Sequence, residues 1–261
     1  MKLPLPVLIL TALGPSTVLA TISYTTYGAV VSSNFDTLPT AGTNAAWAND
    51  STITGWNLFS STGAALTTID AGAGASNTGK YYSFGTGTAT ERALGSAASG
   101  GAYFGSPLTG AVAGWSAVAL TNNSGGNLDI VTIRYDGEQW RNGGNATAQS
   151  LTLEYGIGNT FATVGTWTAP GGAFNFTGPI ATATAAAVDG NGAGKVTGLG
   201  GTIAGVPWTS GSTLWVRWAD LNDVGNDHGL ALDNVDISAV PEPSTGALAA
   251  SALLFLRRRR A

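Results

Sequence analysis

The chain has 261 residues, no cysteine, 38 glycines and only 10% charged residues, with 11 Lys and Arg against 15 Asp and Glu. Without cysteine there is no disulfide framework, thiol catalysis or thiolate metal site. Lys2 and the arginines 257–260 are five of the basic residues, so positions 21–239 hold six basic and fourteen acidic residues, a net charge of −8. A surface of that sign excludes nucleic acid and anionic lipid as partners and admits divalent cations.

At the N-terminus, Met1-Lys2 supplies a positive charge and Leu3 to Leu13 is mostly apolar. Val18-Leu19-Ala20 places modest or small residues where a signal peptidase reads. Residues 1–20 therefore read as a signal peptide cleaved after Ala20, and residues 21–239 as the exported domain.

Low charge alone would suggest disorder, but eight Trp, seven Tyr and eight Phe favour a packed β structure. Runs of strand character fall at Thr54–Ser60, Lys80–Phe84, Trp115–Thr121, Leu128–Tyr135, Ser150–Tyr155, Phe161–Trp167, Thr213–Trp218 and Gly229–Ser238. Gly/Asn-rich turns such as Asn122–Gly126, Arg141–Gly144 and Asp189–Gly192 separate them. Strands of this number predict an all-β, jelly-roll-like β-sandwich. Leu128–Tyr135 is apolar on both faces and reads as central. In the last strand Leu230 and Leu232 share one phase, and Val235 and Ile237 the other. That slip predicts a β-bulge at Asp233-Asn234, re-aiming Asp233 toward the preceding loop. Among the tryptophans, Trp47, Trp56, Trp167 and Trp208 lie near loops, whereas Trp115, Trp215 and Trp218 read as core. Exposed rings at loops would stack on sugar faces, which makes exopolysaccharide a candidate partner.

Two segments hold the polar chemistry. In Tyr135–Gly144, Glu138 stands beside Trp140 and Arg141, and Glu154 follows on the next expected strand. Two carboxylates about 5–10 Å apart are the machinery of a glycan-active hydrolase. The alternative is structural: Glu138 pairs with Arg141 or Arg134 while Trp140 packs over the guanidinium. The second segment is the loop Asp220-Leu-Asn222-Asp223-Val-Gly-Asn226-Asp227-His228. Asp220, Asn222, Asp223, Asn226 and Asp227, with Asp233 beyond, offer an all-oxygen set suited to Ca²⁺. The EF-hand pattern fails, because Val224 and Ala231 occupy its fifth and twelfth places. The other reading is a solvated loop of Asx-turns in which Arg217 pairs with one acid and His228 closes the loop by a hydrogen bond. Gly137–Arg141 and Trp215–Asn234 together resemble a recurrent all-β domain of secreted bacterial surface proteins, a resemblance that implies a fold and no activity.

The C-terminal residues 240–261 have three parts. Val240-Pro241-Glu242-Pro243-Ser244-Thr245 is a rigid turn, Gly246 to Leu256 is a short apolar stretch that reads as a hydrophobic helix, and Arg257, Arg258, Arg259 and Arg260 form a cytoplasmic stop. The tail resembles the PEP-CTERM signal of exosortase substrates. That resemblance implies recognition at Pro241–Pro243 by an integral-membrane transpeptidase. The eleven apolar residues reach about 16 Å as a helix, short of the ~30 Å hydrocarbon core, which favours a transient tether over a permanent anchor. The sequence thus predicts an exported cell-surface or matrix protein with a non-catalytic domain. A secreted hydrolase and a calcium-stabilised adhesin are the alternatives.

Overall fold

The computed structural model describes residues 21–243. The signal peptide with Ala20, Ser244, Thr245, the apolar helix and Arg257–Arg260 lie outside the described residues. Within them the chain forms β1 (Ile22–Tyr24), β2 (Val31–Ser33), β3 (Ala45–Ala46), β4 (Trp56–Ser60), β5 (Thr68–Gly72), β6 (Lys80–Phe84), β7 (Ala93–Ala97) and β8 (Val112–Asn122). There follow β9 (Ile130–Asn142), β10 (Ser150–Ile157), β11 (Phe176–Thr177), β12 (Ala186–Ala187), β13 (Lys195–Ile203), β14 (Thr213–Leu221) and β15 (Gly229–Val240).

The strands make two sheets. The six-stranded sheet runs β1-β8-β14-β10-β11, with β4 also on β8. The nine-stranded sheet runs β12-β9-β15-β7-β6-β5-β3, with β13 on β9 and β2 on β15. Their inner faces share one core, in which Trp56, Val118, Leu153 and Trp218 of the first sheet meet Leu94, Ile133, Tyr135 and Leu232 of the second. Trp218 links the layers: its ring stacks on Trp56 at 5.7 Å and meets Tyr135 edge-on at 5.5 Å. Gly137 allows Phe176 to cross from the edge of the other sheet, since a Cβ there would come within 2.2 Å of the ring.

β9 is central, as its two apolar faces predict, with β15 on one side and β12 and β13 on the other. The bulge in β15 is present. Pairing with β9 shifts register between Asp233 and Asp236, and Asn234 takes φ 48°. The same site divides the other edge of β15: Gly229–Leu232 pairs with β7, and Val235–Ile237 pairs with β2. A bulge twists a strand locally, which lets one long strand serve two partners.

One expected strand is absent. Phe161–Trp167 forms a 3₁₀ turn at Phe161–Thr163 followed by irregular chain. Its apolar residues, Phe161, Val164 and Trp167, recur every third position rather than every second. That spacing suits a segment lying across a sheet rather than a strand within one. All three join Phe59, Ala117, Ala119, Trp115 and Trp215 in a cluster apart from the main core. They cover the outer face of the six-stranded sheet.

Candidate functional site

Alternation along β8 and β14 builds this outer face. Val118, Leu120, Leu214, Val216 and Trp218 point inward, which leaves Trp115, Ala117, Ala119, Trp215 and Arg217 on the other side. The small side chains of Ala117 and Ala119 leave room for rings to lie flat on the sheet. Phe161 stacks on Phe59 at 4.0 Å and lies 5.2 Å from Trp167 and 5.7 Å from Trp115. Arg217 reaches into this group, its guanidinium 3.7 Å from the Trp167 centroid, 4.9 Å from Trp115 and 5.5 Å from Phe161. Cross-strand register puts Glu154 of β10 opposite Arg217, and Arg217 Nη2 lies 2.7 Å from Glu154 Oε2. Burial lowers the Arg217 pKa from its usual value, and the carboxylate of Glu154 opposes that shift. Trp115, Phe161 and Trp167 remain partly exposed. The result is an aromatic face with a positioned hydrogen-bonding pair, the chemistry that stacks a sugar ring and binds its hydroxyls.

This arrangement corrects several expectations. Trp47, Trp56 and Trp208, expected near loops, are buried at 3%, 0% and 0% exposure. Trp115, expected in the core, lies on the outer face. The signal for it was the run Trp115, Ala117, Ala119, which shares one strand phase. Arg217 pairs with Glu154 rather than with a loop acid. Glu138 pairs with Lys195 at 2.9 Å rather than with Arg141 or Arg134, and Trp140 Nε1 donates to Glu138 Oε2 at 2.9 Å. Trp140 stacks on Phe84 at 6.1 Å rather than on an arginine. Glu138 and Glu154 do not share a site, because β9 and β10 belong to different sheets and the two side chains lie on opposite outer faces. The two-carboxylate hydrolase reading built on them is therefore overturned.

The loop between β14 and β15 borders a polar cavity of about 280 Å³ lined by Asn77, Ser99, Arg141, Asn222, Asn226 and Asp227, among others. Its members point in different directions. Asp220 turns into the protein and accepts a 2.6 Å hydrogen bond from Ser96 Oγ. Full burial raises its pKa well above the usual range, more than the Ser96 bond lowers it. Asn222 donates to the carbonyl of Pro107, and Asp227 Oδ1 accepts the Asp223 N–H at 2.8 Å. Burial pushes Asp227 to about 7, with Asp223 adding to the rise. Asn226 is exposed, and its carbonyl accepts from Gln149 Nε2 at 3.0 Å. His228 closes the loop as expected: Nδ1 accepts the Gly143 N–H at 2.9 Å, and its own N–H donates to Gln149 Oε1.

Asp233 does not turn toward this loop. Its side chain lies on the outer face of the nine-stranded sheet, where its Oδ2 is 3.6 Å from Lys195 Nζ. The register explains the position, because β9 places Asp136 opposite Asp233, and Glu138 opposite both Ala231 and Lys195.

Val240 ends β15 opposite Ile130 and is 36% exposed; Pro241, Glu242 and Pro243 follow without regular structure. Proline has no N–H to give a ladder, so the first proline of the motif stops the strand.

Residues 239–260 match the family described as the PEP-CTERM protein-sorting motif. A motif of this kind implies exosortase processing and sorting to the cell surface. No curated protein sequence matches the chain. Among solved structures, the CBM22-1 xylan-binding domain of Paenibacillus barcinonensis Xyn10C is similar at 9% identity and a TM-score of 0.38, covering 84% of this chain and 100% of that domain. The K3 cleaved adhesin domain of Lys-gingipain from Porphyromonas gingivalis w83 is similar at 14% identity and a TM-score of 0.38, covering 70% of this chain and 91% of that one.

Proposed function

We propose that the chain is an exported surface or matrix protein whose domain, residues 21–239, binds exopolysaccharide without catalysis on the Trp115–Phe161–Trp167 face. The chain crosses repeatedly between the sheets, among other places at β7→β8, β8→β9, β9→β10, β13→β14 and β14→β15, which supports a jelly-roll-like sandwich. The carrying observation is the ring face itself, with Arg217 locked between Trp167 and Glu154. Sugar C–H groups stack on indole faces, while an Arg–carboxylate pair offers fixed donors and acceptors to hydroxyls. A net domain charge of −8 makes neutral glycan a better partner than a polyanion.

In this reading signal peptidase removes residues 1–20, and the tail then tethers the folded domain until the transpeptidase acts at Pro241–Pro243. The test is affinity electrophoresis of the full chain through gels cast with neutral polysaccharides. Trp167→Ala with Trp115→Ala should abolish retardation while the variant still folds, at a melting temperature lowered by the loss of the Arg217–ring contacts. Equal retardation of variant and wild type, or none of the wild type by any polysaccharide, would overturn the assignment.

A further inference from the structure

The outer face of the nine-stranded sheet, opposite the ring face, carries a buried group of charges that the sugar-binding reading does not use. Glu138 is 0% exposed and Asp233 3% exposed. With Glu91, which precedes β7, each offers a carboxylate oxygen, and these three atoms lie within 4.8 Å of one another. The turn Asp189–Gly192 covers them from outside, at Gly190 so closely that a Cβ would stand 2.3 Å from the Trp140 indole.

Hydrogen bonding in this group is incomplete. Glu138 receives Lys195 at Oε1 and Trp140 at Oε2. Asp233 Oδ2 receives Asn234 Nδ2 at 2.7 Å, and Glu91 Oε2 receives Asn191 Nδ2. Asp233 Oδ1 and Glu91 Oε1 are buried and have no donor. A buried carboxylate oxygen without a partner costs about 1–3 kcal/mol or more, so native proteins normally supply a donor, a water or an ion. The neighbouring Arg92 does not supply one: its Nη2 donates to the carbonyls of Thr40 and Gly87. Among the described residues Lys195 is the single ammonium in salt-bridge contact with the group, and it also lies 3.5 Å from Asp136. Three carboxylates, Asp136, Glu138 and Asp233, therefore share one ammonium, and Glu91 has no salt bridge among the described residues.

We propose that Glu91, Glu138 and Asp233 bind Ca²⁺, with the spare oxygens Asp233 Oδ1 and Glu91 Oε1 as ligands. An all-oxygen, carboxylate-rich set selects a hard cation over Zn²⁺ or Cu²⁺. Ca²⁺ holds oxygens at about 2.3–2.6 Å, so ligands on opposite sides stand about 4.6–5.2 Å apart, compatible with this spacing. Bound there, the ion would tie the Glu91 segment to the two central strands and supply what the spare oxygens lack. Burial and the neighbouring Glu138 charge raise the Asp233 pKa to about 7, consistent with too little positive charge in the group.

The experiment uses EDTA-treated full chain and Tb³⁺ as a luminescent Ca²⁺ probe. Trp140 donates directly to Glu138, so its indole is placed to sensitise an ion at the cluster. Sensitised emission should appear on adding Tb³⁺ and be displaced by Ca²⁺ in the ~10⁻⁴–10⁻³ M range of extracellular modules. Asp233→Asn and Glu91→Gln should each weaken Ca²⁺ at least tenfold. Trp140→Phe should remove most of the emission while calorimetric Ca²⁺ affinity persists. Asp223→Asn with Asp227→Asn, in the other acidic loop, should change neither. Lys195→Gln should tighten Ca²⁺ by removing a competing cation. Should Asp233→Asn fail to fold, the partly exposed Glu91 and the Lys195 variant still decide. Absence of Ca²⁺ binding at about 1 mM, or binding lost only in the loop variant, would overturn the proposal.

Discussion

The guanidinium of Arg217 lies 3.7 Å from the ring centroid of Trp167, and Glu154 holds it there from the adjacent strand. A cation over an indole contributes about 0.5–2 kcal/mol, more as the pair is desolvated. The Arg217 side chain is 12% exposed, so the upper part of that range applies. Arg217→Met keeps the aliphatic stem and removes the charge. It should lower stability by about 1–2 kcal/mol, or ~2–8 °C in melting temperature, and also weaken polysaccharide retention. Arg217→Lys should recover part of the stability but less of the retention, because an ammonium lacks the planar fork. Scanning calorimetry and affinity electrophoresis on the same variants separate the two effects.

The bulge makes a sharper backbone prediction. Asn234 sits at φ 48°, a left-handed conformation that Gly and Asn tolerate and β-branched residues do not. Asn234→Val should cost about 1–2 kcal/mol in urea unfolding, whereas Asn234→Gly should cost only a few tenths. Because the bulge marks the change of partner from β7 to β2, the valine variant should also lose amide protection at Val31–Ser33 before the centre of β15.

What the sequence discloses follows the strength of its periodicity. Gly229–Ser238, with its bulge, is legible because four aliphatic residues keep a two-residue spacing and change phase once. β6 is legible as KYYSF between glycines. β3, β11 and β12 have two residues each, too short for any period, and exist only because a longer strand lies beside them. Trp208 gives no local sign of burial, since it is held by a long-range bridge to Leu128. The charge cluster is hidden for the same reason. Glu91, Glu138, Lys195 and Asp233 come from four separate segments, and only cross-strand register brings them together. Arg217 and Glu154 were each visible as charged residues on strands, but their pairing depends on β10 lying next to β14.

Packing across the sandwich can be tested at its tightest point. Gly137 leaves space that the Phe176 ring fills, and a methyl group there would come within 2.2 Å of it. Gly137→Ala should therefore force Phe176 outward and cost about 1–3 kcal/mol, read as a lower urea midpoint at unchanged slope. Phe176→Ala should cost about 3–5 kcal/mol, since the ring is wholly buried. The double variant should fall well short of the sum, because removing the ring removes the clash.

The loop Asp220–His228 sets a pH dependence whose direction is opposite to that of a salt-bridged acid. Burial raises Asp220, Asp223 and Asp227, Asp227 to about 7. A carboxyl whose pKa rises on folding binds a proton more readily in the folded state than in the unfolded one. Stability then falls as pH rises between the two pKa values. For Asp227 the folded and unfolded groups are both protonated below about pH 4, where it exerts no penalty. The penalty grows as pH climbs toward 7 and is fully established above it. In EDTA, the melting temperature should decline between pH 5 and pH 8. Asp227→Asn should remove its share of that decline, so the variant matches wild type near pH 4 and exceeds it at pH 8. Burial raises the Asp220 carboxyl well above its usual range, and Asp220→Asn keeps its shape and can still accept from Ser96, so it should be tolerated. Asp220→Ala leaves Ser96 Oγ without its acceptor and should lose about 1–3 kcal/mol. A melting temperature that rises from pH 5 to pH 8 in wild type would show that these carboxyls ionise freely in the folded protein.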